Sequence, residues 1–88
     1  MFIITGAGIE CVARGLKQGK IAFRDRVDFL ENDHYIYYDE QREAAYSNTT
    51  IKDVDCKDYY TFTQDDIFAT NWVVADQSLL AHKEKLSE

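Results

Sequence analysis

The sequence predicts an α+β domain: an N-terminal amphipathic helix, a small antiparallel β-sheet, a short helical turn before the last strand, and a C-terminal short helix. Three observations lead there. Apolar residues near the start fall at helical spacing, and those in the middle fall in short β-prone runs. The connections between the runs are too short for parallel crossovers, which leaves antiparallel pairing. The 88 residues make a single domain, 1–88, with a core over about 9–76 and a tail helix over 77–88. A chain of this size buries only roughly 60–65% of the surface it exposes when unfolded. Self-association offsets a small core, so an oligomer is expected.

The first element is "GIECVARGLKQ", residues 8–18, where Ile9, Val12, Ala13 and Leu16 share one helix face. Gly19 suits the left-handed position that stops a helix. Arg14 and Lys17 fall late in the segment, where cations favour the negative end of the helix dipole. Gly15 weakens the helix but permits a close backbone approach. "KIAFRDR" follows with alternation, and as a strand it puts Lys20, Ala22, Arg24 and Arg26 on one face. "NDHYIYYDE" predicts a turn at Asn32-Asp33 and then a strand with Tyr35 and Tyr37 opposite His34, Ile36 and Tyr38. "AAYSNTTIKDV" and "DYYTFT" are two further β-prone segments. Thr63 with Asp66 three residues on resembles a capping box that starts a helical turn. "NWVVA" then predicts a buried strand, with Trp72 in the core. The tail "DQSLLAHKEKLSE" predicts a short polar helix contacting the core through Leu79, Leu80 and Leu86.

The charge is unevenly placed. The chain carries 16 Asp and Glu against 10 Lys and Arg, a net of −6. Five of the cations (Arg14, Lys17, Lys20, Arg24 and Arg26) fall in the first 26 residues, which also hold Glu10 and Asp25, for a net of +3. From residue 27 onward the net is −9. An acidic surface argues against general nucleic-acid binding, which needs a broad basic face. It does not oppose one small anionic ligand held by a local cluster. No run approaches the ~18 apolar residues of a membrane span, and "MFIITGAGIE" lacks the basic n-region of a secretory signal. A cytosolic protein with no membrane partner is expected.

Catalytic and metal arrangements find little support. His34 and His82 stand in unlike contexts with no third ligand at metal spacing. Cys11 and Cys56 are far apart and outside any C-x-x-C spacing, which predicts two reduced thiols acting as small apolar residues. The pairs Asp65-Asp66 and Asp39-Glu40 fit caps and turns better than a catalytic dyad. No G-x-S-x-G, P-loop or G-x-G-x-x-G occurs, and "GAG" before Ile9 lacks a full preceding strand. No enzyme activity and no cofactor are expected. Binding is better supported. Lys20, Arg24 and Arg26 on one strand face beside Tyr35 and Tyr37 on the next would suit a phosphorylated, base-containing molecule: guanidinium clamps phosphate, and tyrosine stacks on a base.

Two segments also resemble a known family. "CVARGLKQGKIAFR", residues 11–24, and "DDIFATNWVV", residues 65–74, resemble the opening and closing motifs of phage Thoeris anti-defence sponges, small proteins of a formerly uncharacterised domain family. The resemblance spans about Ile9 to Asp76. It implies a small α+β protomer that assembles as a homo-oligomer, a dimer or tetramer. It further implies sequestration, without degradation, of a bacterial immune signalling nucleotide, of the cyclic ADP-ribose type or a cyclic dinucleotide, in the cytoplasm of the infected host. Residues expected to bind the ligand are Lys20, Arg24, Arg26, Tyr35, Tyr37 and Asn71, with Arg24 and Arg26 on phosphate, Tyr35 and Tyr37 on base or ribose, and Asn71 as a polar contact. The pocket is expected between subunits. Two positions depart from the family pattern: Val27 stands where relatives carry Trp, and Asn71 where they carry Asp. Ring contact would then fall to Tyr35, Tyr37 or Phe29, or the ligand differs from that of relatives. The alternative from another class is an acidic interaction protein that inhibits a host enzyme through the segment beyond residue 27. A phosphodiesterase acting on the same messenger would need a metal or base that the sequence does not supply.

Overall fold

A computed structural model describes residues 1–87 and shows an α+β fold with a six-stranded antiparallel sheet and three α-helices. The organising strand is β6, Trp72–Ala75, whose four residues are all buried. Four consecutive apolar residues leave no solvent face, so a strand of this kind belongs inside a sheet covered on both sides. β6 lies between β1, Ile3–Ala7, and β2, Ile21–Phe23. The sheet continues through β3, Tyr35–Asp39, and β4, Ala44–Ile51, to β5, Val54–Tyr59, giving the order β1-β6-β2-β3-β4-β5.

Helix α1, Ile9–Lys17, packs on one face of the sheet. Val12 and Leu16 join Ala22, Ile36, Trp72 and Val74 in one apolar cluster. The helix ends in a Schellman arrangement. Gly19 takes φ +83°, its N–H donates to the Leu16 carbonyl at 3.1 Å, and the Lys20 N–H donates to the Gly15 carbonyl at 2.9 Å. The close approach at Gly15 is made by a side chain rather than by backbone, because an added Cβ would sit 2.5 Å from Val74 Cγ1. The other face is covered by α2, Arg26–Asn32, and by two 3₁₀ turns, Gln77–Ala81 and Lys83–Ser87. Phe29, Leu79 and Leu86 there meet Ile21, Phe23, Val73 and Ala75. Phe29 stacks on Phe23 with centroids 4.0 Å apart and planes 3° from parallel.

Three expectations are corrected. The segment 20–26 is not one strand: β2 stops at Phe23, and the Asp25 side chain accepts the Asp28 N–H at 3.1 Å to cap α2. Arg24 is therefore a linker residue and Arg26 the first residue of a helix, so Lys20, Arg24 and Arg26 do not share a strand face. The start of the chain is a strand. Residues 3–7 pair with β6 through Ile3–Ala75, Ile4–Val74 and Ala7–Trp72, with an irregularity at which Gly6 adopts φ +64°. α1 is thus a crossover between β1 and β2, which both pair antiparallel with β6. Finally, the tail winds as two 3₁₀ turns rather than one helix, with Leu79 and Leu86 buried.

The hairpins follow from local chemistry. Lys52 and Asp53 both take positive φ in the two-residue turn between β4 and β5, the backbone that matches strand twist. Asp39 accepts the N–H groups of Gln41 and Arg42 and so shapes the turn after β3. Among the described residues, no helix is long and apolar enough to cross a membrane.

The Gly15–Val74 contact sets a first test. Gly15→Ala gains up to about 1 kcal/mol of helix propensity but overpacks the α1–β6 contact at a cost of about 1–3 kcal/mol. The expected net is a loss of stability, seen as a fall in Tm of roughly 4–8 °C per kcal/mol. In thermal melts the double variant Gly15→Ala/Val74→Ala should cost less than the two single changes added together.

Candidate functional site

A cleft of about 560 Å³ opens where the β2–α2 connection meets the ends of β3 and β6. Its floor is the buried apolar surface of Ala22, Ile36 and Trp72. Its walls are Arg24, Asp25, Arg26, Val27 and Asp28 from the connection and α2, His34 from the approach to β3, Tyr60, Asp66 of α3 (Gln64–Phe68), and Asn71.

Asp66 organises these walls. Thr63 and Asp66 form the capping box of α3: the Asp66 N–H donates to Thr63 Oγ1 at 3.2 Å, and the Thr63 N–H donates back to Asp66 Oδ2 at 3.0 Å. The same carboxylate accepts Arg24 Nη1 on Oδ1 at 3.0 Å and the Tyr60 hydroxyl on Oδ2 at 2.5 Å. Its backbone carbonyl accepts Trp72 Nε1 at 2.9 Å. Burial alone would push the Asp66 carboxyl upward. The hydrogen bonds from Tyr60, the Thr63 N–H and Arg24 outweigh it and hold the carboxyl below its ordinary value. Burial, and then the bond donated to Asp66, push the Tyr60 phenol well above its ordinary value, so it remains a proton donor.

Arg24 is held on three sides. Nη1 reaches Asp66, Nε donates to Asn71 Oδ1 at 3.1 Å, and the guanidinium carbon lies 5.9 Å from the centre of the Trp72 ring. Nη2 makes no hydrogen bond to the described residues, and about a third of the side chain is exposed. A guanidinium fixed in this way offers a pre-ordered edge to an oxyanion. Arg26 is exposed and makes no ion pair among the described residues. His34 Nδ1 lies 2.9 Å from Thr49 Oγ1, which fixes the ring at the cleft wall.

Of the six residues expected from sequence, Arg24, Arg26 and Asn71 come together in this cleft. Lys20 does not line it. Its ammonium pairs with Asp76 at 2.9 Å and sits 4.5 Å from the Phe2 ring centre, where it closes the end of the sheet. The Phe2 N–H and then Lys20 hold the Asp76 carboxyl below its ordinary value. Tyr35 and Tyr37 point to the opposite sheet face, against the cluster that contains Phe29, because residues one apart on β3 alternate faces and Ile36 faces the cleft. They line a separate hollow of about 220 Å³ with Lys57 and Gln77. Phe29 is fully buried and offers no ring to a ligand.

Sequence reasoning did not select Tyr60, His34 or Asp66 for this site. The Thr63–Asp66 spacing was the available signal, but a capping residue carries no mark of a second partner 42 positions away. Trp72 is core, 1% exposed, and its ring also forms the cleft floor. Among the described residues no three His, Cys, Asp or Glu side chains gather at metal-binding distance. Comparison with known protein families, with curated proteins and with solved structures finds no match.

The Asp66 network gives a prediction with a defined sign. A folded-state pKa below the unfolded value means that the stabilisation is present above the unfolded value, about 3.9, and is lost as pH falls through the folded one. Asp66→Asn should therefore cost about 1–3 kcal/mol at pH 7, and its deficit against the parent should shrink between pH 7 and pH 3. Urea melts at both pH values measure this. A constant deficit would show that the carboxylate charge contributes nothing.

Proposed function

We propose that the protein binds a signalling nucleotide and holds it intact, as a sponge resembling the phage anti-defence proteins. The observation that carries this reading is the meeting of Arg24, Arg26 and Asn71 in one cleft, with the Arg24 guanidinium locked by Asp66 and its Nη2 edge open. A volume of about 560 Å³ lies in the range of small-molecule sites. Locking the arginine in advance lowers the ordering cost of binding, which favours the tight affinity sequestration requires. A sponge works by stoichiometry: the free messenger must fall below the dissociation constant of the effector it would otherwise activate.

The base contact moves from Tyr35 and Tyr37 to the rings that line the cleft, Tyr60 and His34. Val27, which stands where the resembling family carries Trp, lines the same cleft and is 61% exposed. This chain therefore offers less ring surface at that wall than its proposed relatives. Self-association into a dimer or tetramer is supported by an apolar hollow of about 450 Å³ between α1 and the β3–β4 hairpin. Ile67 lines it, and the neighbouring Phe68 is 74% exposed.

The test is incubation with a panel of cyclic nucleotides, then heat release and chromatography. Recovery of intact ligand in proportion to protein supports the sponge, and breakdown products would make the protein an enzyme. Arg24→Ala should reduce nucleotide affinity by at least about thirtyfold, the loss of a charged contact of about 2–5 kcal/mol, while the elution volume of the oligomer stays unchanged. Unaltered affinity removes Arg24 from the site. No nucleotide response, together with specific capture of a host enzyme, would favour the acidic interaction protein.

A further inference from the structure

The charges around the cleft show no cationic surplus. Arg24 is matched by Asp66 at 3.0 Å. Among the described residues Arg26 has no ion-pair partner, and neither do two carboxylates, Asp25 and Asp28. Asp25 Oδ1 accepts the Asp28 N–H at 3.1 Å, and Asp28 Oδ1 accepts Asn32 Nδ2 at 2.8 Å. These hydrogen bonds fix both carboxylates at the start of α2 without removing their charge. Counting its Arg and Asp side chains, the lining holds two guanidiniums against three carboxylates. The donors left open are Nη2 of Arg24 and the Arg26 guanidinium, enough for the two free oxygens of one phosphodiester.

Resting on the nucleotide reading above, we infer that the cleft selects phosphodiesters over phosphomonoesters. It accepts a group bearing one negative charge and rejects the second charge that a terminal phosphate carries above its second pKa of about 6. The physical cause is like-charge repulsion from Asp25 and Asp28, a device that discriminates against abundant mononucleotides without weakening the intended contact. One added like charge near a protein surface is expected to change affinity by about tenfold or more.

Trp72, the only tryptophan in the chain, lies in the cleft floor and reports binding by fluorescence. The full chain is titrated at pH 8 with 3′,5′-cyclic AMP against 5′-AMP, and with cyclic di-AMP against its ring-opened form with a terminal phosphate. The cyclic member of each pair should bind about tenfold tighter. Asp28→Asn, which keeps an amide oxygen for Asn32, should narrow the gap at pH 8 by strengthening the monoester. Equal affinities at pH 8, or a gap that Asp28→Asn leaves untouched, would overturn the selectivity while leaving nucleotide binding in place. No saturable response to any of the four probes or to cyclic ADP-ribose would overturn the nucleotide reading and the selectivity together.

Discussion

One carboxylate ties this structure together. Asp66 is 5% exposed, and such a group stays charged inside a protein only when its oxygens are fully partnered. Here Oδ1 takes Arg24, Oδ2 takes Tyr60 and the Thr63 N–H, and the backbone carbonyl takes the Trp72 indole. The bonds reach the β2–α2 connection, the segment after β5, the cap of α3 and the central strand β6. Four stretches of chain are therefore positioned by one residue. The cleft they enclose inherits that rigidity.

The same arrangement decides what kind of chemistry the cleft suits. A carboxylate that accepts three donors has little basicity left, and the Tyr60 phenol beside it is held as a donor. What remains open is the far edge of Arg24, a second arginine on α2 and two anchored acidic side chains. That set is the basis of the proposed preference for a group of limited negative charge. The apolar floor of Ala22, Ile36 and Trp72 excludes water beneath it and strengthens each polar contact above.

Much of the fold was legible because its causes are local. The capping box from Thr63 to Asp66 spans three residues, the left-handed stop at Gly19 one, and the alternation around Tyr35–Tyr38 four. The apolar run Trp72–Ala75 marks a strand covered on both faces. β1 was not legible, since Ile3–Ala7 contains Gly6 and owes its strand form to a partner about seventy positions away. α2 was hidden by a misleading alternation: it rests on a cap at Asp25 and a single buried anchor, Phe29, with Val27 and Leu30 exposed.

By itself the sequence determined the class of fold, the capped turn, the buried tryptophan strand and the concentration of cations before residue 27, all set by neighbours within a few positions. Only the tertiary structure decided which cations share a site. It joined Arg24 to Asp66 and Asn71 across 42 and 47 positions, sent Lys20 to Asp76, and turned Tyr35 and Tyr37 to the other face. The physical reason is that a long side chain takes the partner that packing brings within reach, and sheet order sets that reach, not distance along the chain.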